Sequence, residues 1–214
     1  MEKSLNEYCE NYSSKESTVL KEINRQTHLT QINARMLSGH LQGQFLKMIV
    51  QMHKPKRILE IGTYTGYSAI AMAQSSNEDT ILDTIEVNEE LESVIINNLT
   101  KSNLIHKVKL HIGDAQQIIS ELTSKYSYDL IFIDADKINY PNYFHLLNPT
   151  IKPGAMILAD NVLWSGKVID DIERQTDEET IAIHHFNTLI AEDKSFEKVI
   201  LPIRDGLTIA IKIH

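Results

Sequence analysis

Along residues 57 to 160 the apolar and polar positions alternate between two rhythms. Short β-branched runs, "RILEIG", "TILDTIEV", "KVKLHIG", "YDLIFID" and "AMILAD", have the length and composition of buried strands. Between them, "GYSAIAMAQSS", "EELESVIINNLTKS", "DAQQIISELTSK" and "YPNYFHLLNPTI" carry helical spacing. Strands alternating with helices predict parallel βαβ units with right-handed crossovers, hence a three-layer α/β sandwich.

The flanks follow other patterns. Before Arg57 no run reads as a strand. Leu5, Tyr8, Cys9 and Tyr12 recur at helical spacing, as do Val19, Leu20, Ile23 and Thr27. "HLQGQFLKMIVQM" predicts another helix, stopped by Pro55. After Asp160, "TDEETIAIHHFNTLIAED" predicts a longer helix capped by Thr176 or Asp177. "FEKVILPI" and "GLTIAIKI" flank "RDG" and predict a hairpin, which gives an otherwise parallel sheet of seven strands one antiparallel edge strand. The length of 214 residues suits a single domain over 1–214, with 1–54 as a helical extension and lid and 55–214 as the α/β core.

Composition narrows the partners. A formal net charge of −8 argues against a broad basic face for nucleic acid or anionic lipid. Cys9 is the sole cysteine, so no internal disulfide forms and a reducing compartment fits. No apolar run is long enough to span a bilayer and the start has no signal core, so neither nucleic acid nor membrane is expected as a partner and the expected location is cytoplasmic.

Two loops at strand ends carry candidate chemistry. In "EIGTYTGYS", Gly62 and Gly66 allow a sharp turn and a close backbone approach at a helix N-terminus; a tight βα turn alone would need the same residues. Three residues separate these glycines, unlike the dinucleotide G-x-G-x-x-G. Glu86 ends the second strand, where an acid accepts both hydroxyls of a ribose. Glu60 beside the loop would repel a pyrophosphate and welcome an ammonium group. A nucleoside bearing an amino acid and a sulfonium, S-adenosyl-L-methionine, suits such a pocket better than NAD. "GDA", with Asp114 and Ala115, ends the third strand where such folds meet the adenine, and Asp114 is also expected to cap the next helix.

The fourth and fifth strands end in "DADK" and "ADN". Neighbouring parallel strands deliver their carboxyl ends to one edge, so Asp134, Asp160 and Asn161 are expected to converge. Two carboxylates and an amide carbonyl make a hard oxygen site suited to Mg²⁺, or to Mn²⁺ or Ca²⁺ in its place. A turn and a helix cap with a surface ion pair explain either motif taken singly.

Taken together, "EIGTYTGYSAIAMA", the "IE" of Glu86, "GDA", "FIDADK..Y..Y", "ADNVLWSGKV" and "RDGLTIA" resemble the cation-dependent O-methyltransferases, the group of the catechol and caffeoyl-coenzyme A enzymes. The resemblance runs from about residue 30 to the C-terminus. It implies a Rossmann-like fold, with the metal on Asp134, Asp160 and Asn161, and Lys137 as the base that deprotonates the acceptor hydroxyl. It places Met36, Ser38, Glu60, Gly62, Thr63, Ser68, Glu86, Ala115 and Asp134 around S-adenosyl-L-methionine, with Trp164 and Tyr143 at the acceptor pocket, where apolar packing is an equal reading. It also implies a homodimer.

Two other readings compete. "IFIDADKI" nearly matches the start of haloacid-dehalogenase-type Mg²⁺ phosphatases, but Ile138 replaces the usual Thr or Val and that motif opens the first strand of its fold. A non-catalytic binder of S-adenosyl-L-methionine would leave the metal residues and Lys137 without a purpose. For the acceptor, the stretch from Trp164 to Thr180 sets Asp170, Asp171, Glu173, Asp177, Glu178 and Glu179 against Lys167 and Arg174. That balance offers little to the phosphates of coenzyme A, so a small phenolic substrate is expected, unless Lys15, Lys21 or Arg25 supplies the charge.

Overall fold

The computed structural model describes residues 2–214, with side chains from Leu5 onward. Its strands are β1 (Arg57–Ile61), β2 (Ile81–Glu86), β3 (Val108–Ile112), β4 (Leu130–Ile133), β5 (Met156–Asp160), β6 (Phe196–Leu201) and β7 (Leu207–Lys212). Its helices are α1 (Glu2–Asn11), α2 (Thr18–Thr30), α3 (Gly39–His53), α4 (Tyr67–Ser75), α5 (Glu92–Lys101), α6 (Ala115–Lys125), α7 (Tyr140–Leu147), α8 (Glu173–Thr176) and α9 (Glu178–Glu192). The seven-stranded sheet runs in the order β3-β2-β1-β4-β5-β7-β6. All five expected parallel strands are present, each shorter than its apolar run by one to three residues.

The chain forms two compact units. The first comprises Met1–Lys56 with Thr63–Ile112. Here β2 and β3 pair in parallel, with Glu86 opposite Ile112 at their ends. Leu20 and Ile23 of α2, Leu46 and Val50 of α3, Ile70 and Met72 of α4, and Ile95 and Leu99 of α5 are buried. The α3 helix ends where Lys54 takes a left-handed conformation just before Pro55. On α1 the expected stripe is present but faces outward: Leu5, Tyr8 and Tyr12 are exposed, and the two tyrosine rings stack at 4.4 Å.

The second unit comprises Arg57–Gly62 with Gly113–His214. Strands β1, β4 and β5 pair in parallel. Their near-continuous burial explains why they read as unbroken apolar runs rather than alternating ones. Phe186 of α9 packs edge-on against Phe144 and Tyr140 of α7. Asp177 is the cap of α9, accepting a hydrogen bond from the Thr180 backbone N–H at 3.1 Å.

The hairpin corrects one expectation. The antiparallel strand is β7, which lies between β5 and β6 rather than at the edge. Composition explains the order. Strand β7, "LTIAIK", is largely buried, whereas β6, "FEKVIL", carries Glu197 and Lys198, charges that suit an unpaired edge.

Candidate functional site

In the first unit, the end of β2 organises the start of α4. Both carboxylate oxygens of Glu86 accept backbone N–H groups, Oε2 from Tyr64 at 2.7 Å and Oε1 from Asn88 at 2.9 Å. A carboxylate oriented by two amides still has lone pairs to offer a ligand. Thr63 Oγ1 lies 2.6 Å from Thr84 Oγ1, tying the loop to β2. Gly66 caps α4 at φ 84°, and an added Cβ would meet only ordinary contacts, so its glycine answers to conformation and not to space. Ser68 is buried in the first turn of α4. Ser38 is buried at the N-cap of α3, while Met36, in the short turn before it, is exposed.

In the second unit, Gly62 follows β1 at φ 99°, and here space decides. A Cβ on it would stand 2.0 Å from the backbone oxygen of Asp134. The close approach expected of this glycine is to the end of β4 itself, and the Asp134 N–H donates to Ile61 O at 2.8 Å in the same contact. Glu60 is fully buried on β1, opposite Phe132. Asp114 caps α6, accepting from the Gln116 N–H at 2.7 Å, and Ala115 is the first residue of that helix. The capping half of its expected role is seen.

The tips of β4 and β5 set the expected polar residues on adjacent strands. Ile133 pairs with Ala159, so Asp134 and Asp160 leave adjacent strands side by side, a ladder spacing of about 5 Å. Asp160 is 4% exposed, and its Oδ1 accepts the Asn161 N–H at 2.9 Å. Asn161 adopts φ 59°, a left-handed conformation that asparagine tolerates. Lys137, 7% exposed, donates to Asp134 Oδ1 at 3.2 Å and to Tyr140 Oη at 2.8 Å. Among the described residues no group of three His, Cys, Asp or Glu side chains forms a metal cluster. The donors at these tips are two carboxylates and one amide, a hard oxygen set that fits Mg²⁺ completed by water or substrate oxygens.

Sequence reasoning gave Tyr140 no role. It is fully buried, accepts from Lys137, and reaches Asp160 O at 2.9 Å and Ile133 O at 3.3 Å. Burial, with the negative charges of Asp134 and Asp160 behind it, holds its phenol well above the ordinary tyrosine range. The signal was its spacing, since Asp134, Lys137 and Tyr140 recur every third residue across one short turn. Tyr143 is buried with its hydroxyl on Asp136 Oδ1 at 2.5 Å and its ring tilted against Tyr140. Trp164 is partly exposed at φ 46°, three residues beyond Asn161.

The segment after β5 is fastened by the hairpin turn. Asp205 Oδ1 accepts the Ser165 N–H at 2.5 Å, Asp205 O accepts from Leu163 at 2.9 Å, and Gly206 O accepts from Val162 at 3.2 Å. Further along, Lys167 pairs with Glu173 and Asp177, and Arg174 pairs with Asp171, so both cations of this stretch are engaged by its own acids.

Comparison with known proteins draws these observations together. Residues 10–213 match the family model described as O-methyltransferase. The chain is 30% identical over 207 residues to the caffeoyl-CoA O-methyltransferase of Stellaria longipes, covering 94% of this chain and 86% of that one. The O-methyltransferase of Bacillus cereus, solved with S-adenosylhomocysteine, superposes with a TM-score of 0.90 at 29% identity, covering 98% and 97% of the two chains. The S-adenosylhomocysteine-bound methyltransferase of Podospora anserina gives 0.90 at 28%, covering 99% and 95%. The shared fold is the Rossmann-like, mostly parallel seven-stranded sheet with its C-terminal hairpin, in which "IFIDADK" belongs to the fourth strand and not to the first strand of a phosphatase. The chain belongs to the O-methyltransferase family and is an S-adenosyl-L-methionine-dependent O-methyltransferase.

Proposed function

We propose that the enzyme methylates one hydroxyl of a small catechol-like phenol, with Asp134, Asp160 and Asn161 holding a divalent cation, Mg²⁺ before Mn²⁺ or Ca²⁺. The observation that carries this reading is the nearly buried Lys137 amine, held against Asp134 at the tips of β4 and β5. Held by Asp134, Asp160 and Asn161, a divalent cation would supply positive charge that favours the phenolate form of the acceptor. Lys137 Nζ receives the acceptor's proton. The acceptor oxygen then bonds to the sulfonium methyl as the carbon–sulfur bond breaks, with the electron pair passing to sulfur. Alignment of oxygen, carbon and sulfur supplies much of the acceleration. Glu86, already oriented by two amides, suits the ribose hydroxyls of the methyl donor.

The acid-rich segment favours a small acceptor over a coenzyme A thioester, because Lys167 and Arg174 are already paired. A homodimer is proposed as well: Leu5 and Tyr8 on α1 and Tyr12 just after it are exposed, and light scattering of the purified chain tests it. Among the described residues no helix is long and apolar enough to cross a membrane. The deciding experiment is methyl transfer across catechols, monophenols and phenolic thioesters, each with Mg²⁺ and after exhaustive chelation. Methylation of catechols alone, abolished by the chelator and restored by Mg²⁺, is expected; full turnover after chelation removes the cation from the reading.

A further inference from the structure

We infer that Tyr140 is a positioning residue for the proton transfer assigned to Lys137, holding the amine so that a single direction is left open towards the acceptor. The inference rests on the methyl-transfer reading above. It begins with one hydroxyl proton. Three groups lie within hydrogen-bond reach of Tyr140 Oη: Asp160 O at 2.9 Å, Ile133 O at 3.3 Å and Lys137 Nζ at 2.8 Å. The two carbonyls can only accept, so the phenol proton is directed at them. The phenol oxygen is then the acceptor towards Lys137, and it has no proton to place on the amine's lone pair.

The second amine contact is Asp134 Oδ1 at 3.2 Å, also an acceptor. A neutral amine has two N–H bonds and one lone pair. In the neutral form that the methyl-transfer reading requires, one N–H meets Tyr140 and the other Asp134, which leaves the lone pair the remaining direction. When the acceptor's O–H bond breaks, its proton becomes the third N–H and its electron pair stays on the oxygen that attacks the methyl carbon. The carbon–sulfur pair leaves with sulfur, so protons and charge balance without a further reactant.

Tyr140 is fit for this because packing surrounds it. It is fully buried, set edge-on against Phe186 at 5.3 Å between ring centroids, and tilted against Tyr143 at 6.5 Å. Its contacts to Ile133 O and Asp160 O also join the ends of the two strands that carry Asp134 and Asp160.

The test compares Tyr140→Phe, Lys137→Ala and the double variant in the full chain, with Mg²⁺, a methylated catechol as readout, S-adenosylhomocysteine affinity by calorimetry, and thermal unfolding. Tyr140→Phe is expected to lower kcat by about 10- to 100-fold, the loss of one hydrogen bond to an amine that becomes charged as it takes the proton. Acceptor KM and S-adenosylhomocysteine affinity stay unchanged. The double variant is expected to be no slower than Lys137→Ala, because Tyr140 then has no amine to hold. Multiplying losses, or an unchanged kcat in Tyr140→Phe, overturn the inference. If Tyr140→Phe does not fold, 3-fluorotyrosine at position 140 keeps the ring and hydroxyl while weakening the oxygen as an acceptor. A lower kcat at an unchanged unfolding temperature is expected, and an unchanged kcat overturns the inference. A wild type that methylates no catechol sinks the reading of the previous section and this inference with it, whereas an active wild type with an indifferent Tyr140 sinks this inference alone.

Discussion

Gly62 touches the end of β4: a Cβ at this position would lie 2.0 Å from Asp134 O and 2.7 Å from Asp134 C. The atoms in the way are backbone, which cannot turn aside, and the glycine's φ of 99° is itself unfavourable for an L side chain. Gly62→Ala is therefore expected to destabilise the protein by roughly 2–4 kcal/mol. Gly66→Ala has the conformational penalty without the collision and should lose only about 1–2 kcal/mol. Urea unfolding of both variants measures the gap, and equal losses would contradict the contact.

Lys137→Ala separates chemistry from binding. The amine meets Tyr140 and one residue assigned to the methyl donor, Asp134, whose backbone is held separately by its N–H on Ile61 O. The variant is expected to bind S-adenosylhomocysteine as the wild type does and to lose turnover by about 10²- to 10⁴-fold, the usual contribution of a positioned base. Calorimetry and a single-turnover assay check the two halves. Unaltered turnover would remove Lys137 from the mechanism.

How much of this was visible in the chain depended on the range of the interaction. Asp177 as a helix cap and Asp114 as another were legible, because capping is settled within three residues. So were the five parallel strands, of which β1, β2, β4 and β5 are buried along nearly their whole length. The order within the hairpin was less direct, since the charges of β6 mark it as the edge strand only once both strands are compared. Tyr140 shows only its spacing to Lys137, because its two other partners are backbone carbonyls of β4 and β5. Carbonyls have no signature in a sequence. The fastening of residues 162–165 by Asp205 and Gly206 escaped for the same reason: it spans about forty positions of chain and uses mostly main-chain groups.

Lys107 makes a prediction about pH. It is buried, and its amine donates to Ala73 O at 3.3 Å and Ser76 O at 3.2 Å, at the end of α4. Burial lowers its pKa, with the charges of Glu78 and Asp79 opposing in part. Between the lowered folded value and the ordinary 10.5, the unfolded chain holds more protons than the folded one, so this group's contribution to stability rises with pH. Comparing urea midpoints of wild type and Lys107→Met from neutral pH up to that limit cancels the other titrating groups. The wild type should gain on the variant as pH increases, and parallel curves would show that the amine titrates normally.

The last prediction concerns the segment that leads away from Asn161. Trp164 at φ 46° and Ser165 at φ 55° are both left-handed without being glycine, a conformation that costs about 1–2 kcal/mol per residue. Something must offset that strain, and Asp205 is placed to do so through its carboxylate on the Ser165 N–H and its carbonyl on the Leu163 N–H. Asp205→Ala deletes the first of these and keeps the second, with an expected loss of about 1–3 kcal/mol, since the hydrogen bond is to a charged group. The segment should then open more often, exposing the bond after Lys167 to trypsin, while Asp205→Asn, which keeps an accepting oxygen, should stay close to wild type. Because the loosened stretch includes Trp164, acceptor KM should rise in Asp205→Ala with S-adenosylhomocysteine affinity unchanged. Limited proteolysis and steady-state kinetics on the two variants check both effects, and trypsin cutting all three proteins at one rate would show that the turn does not hold the segment.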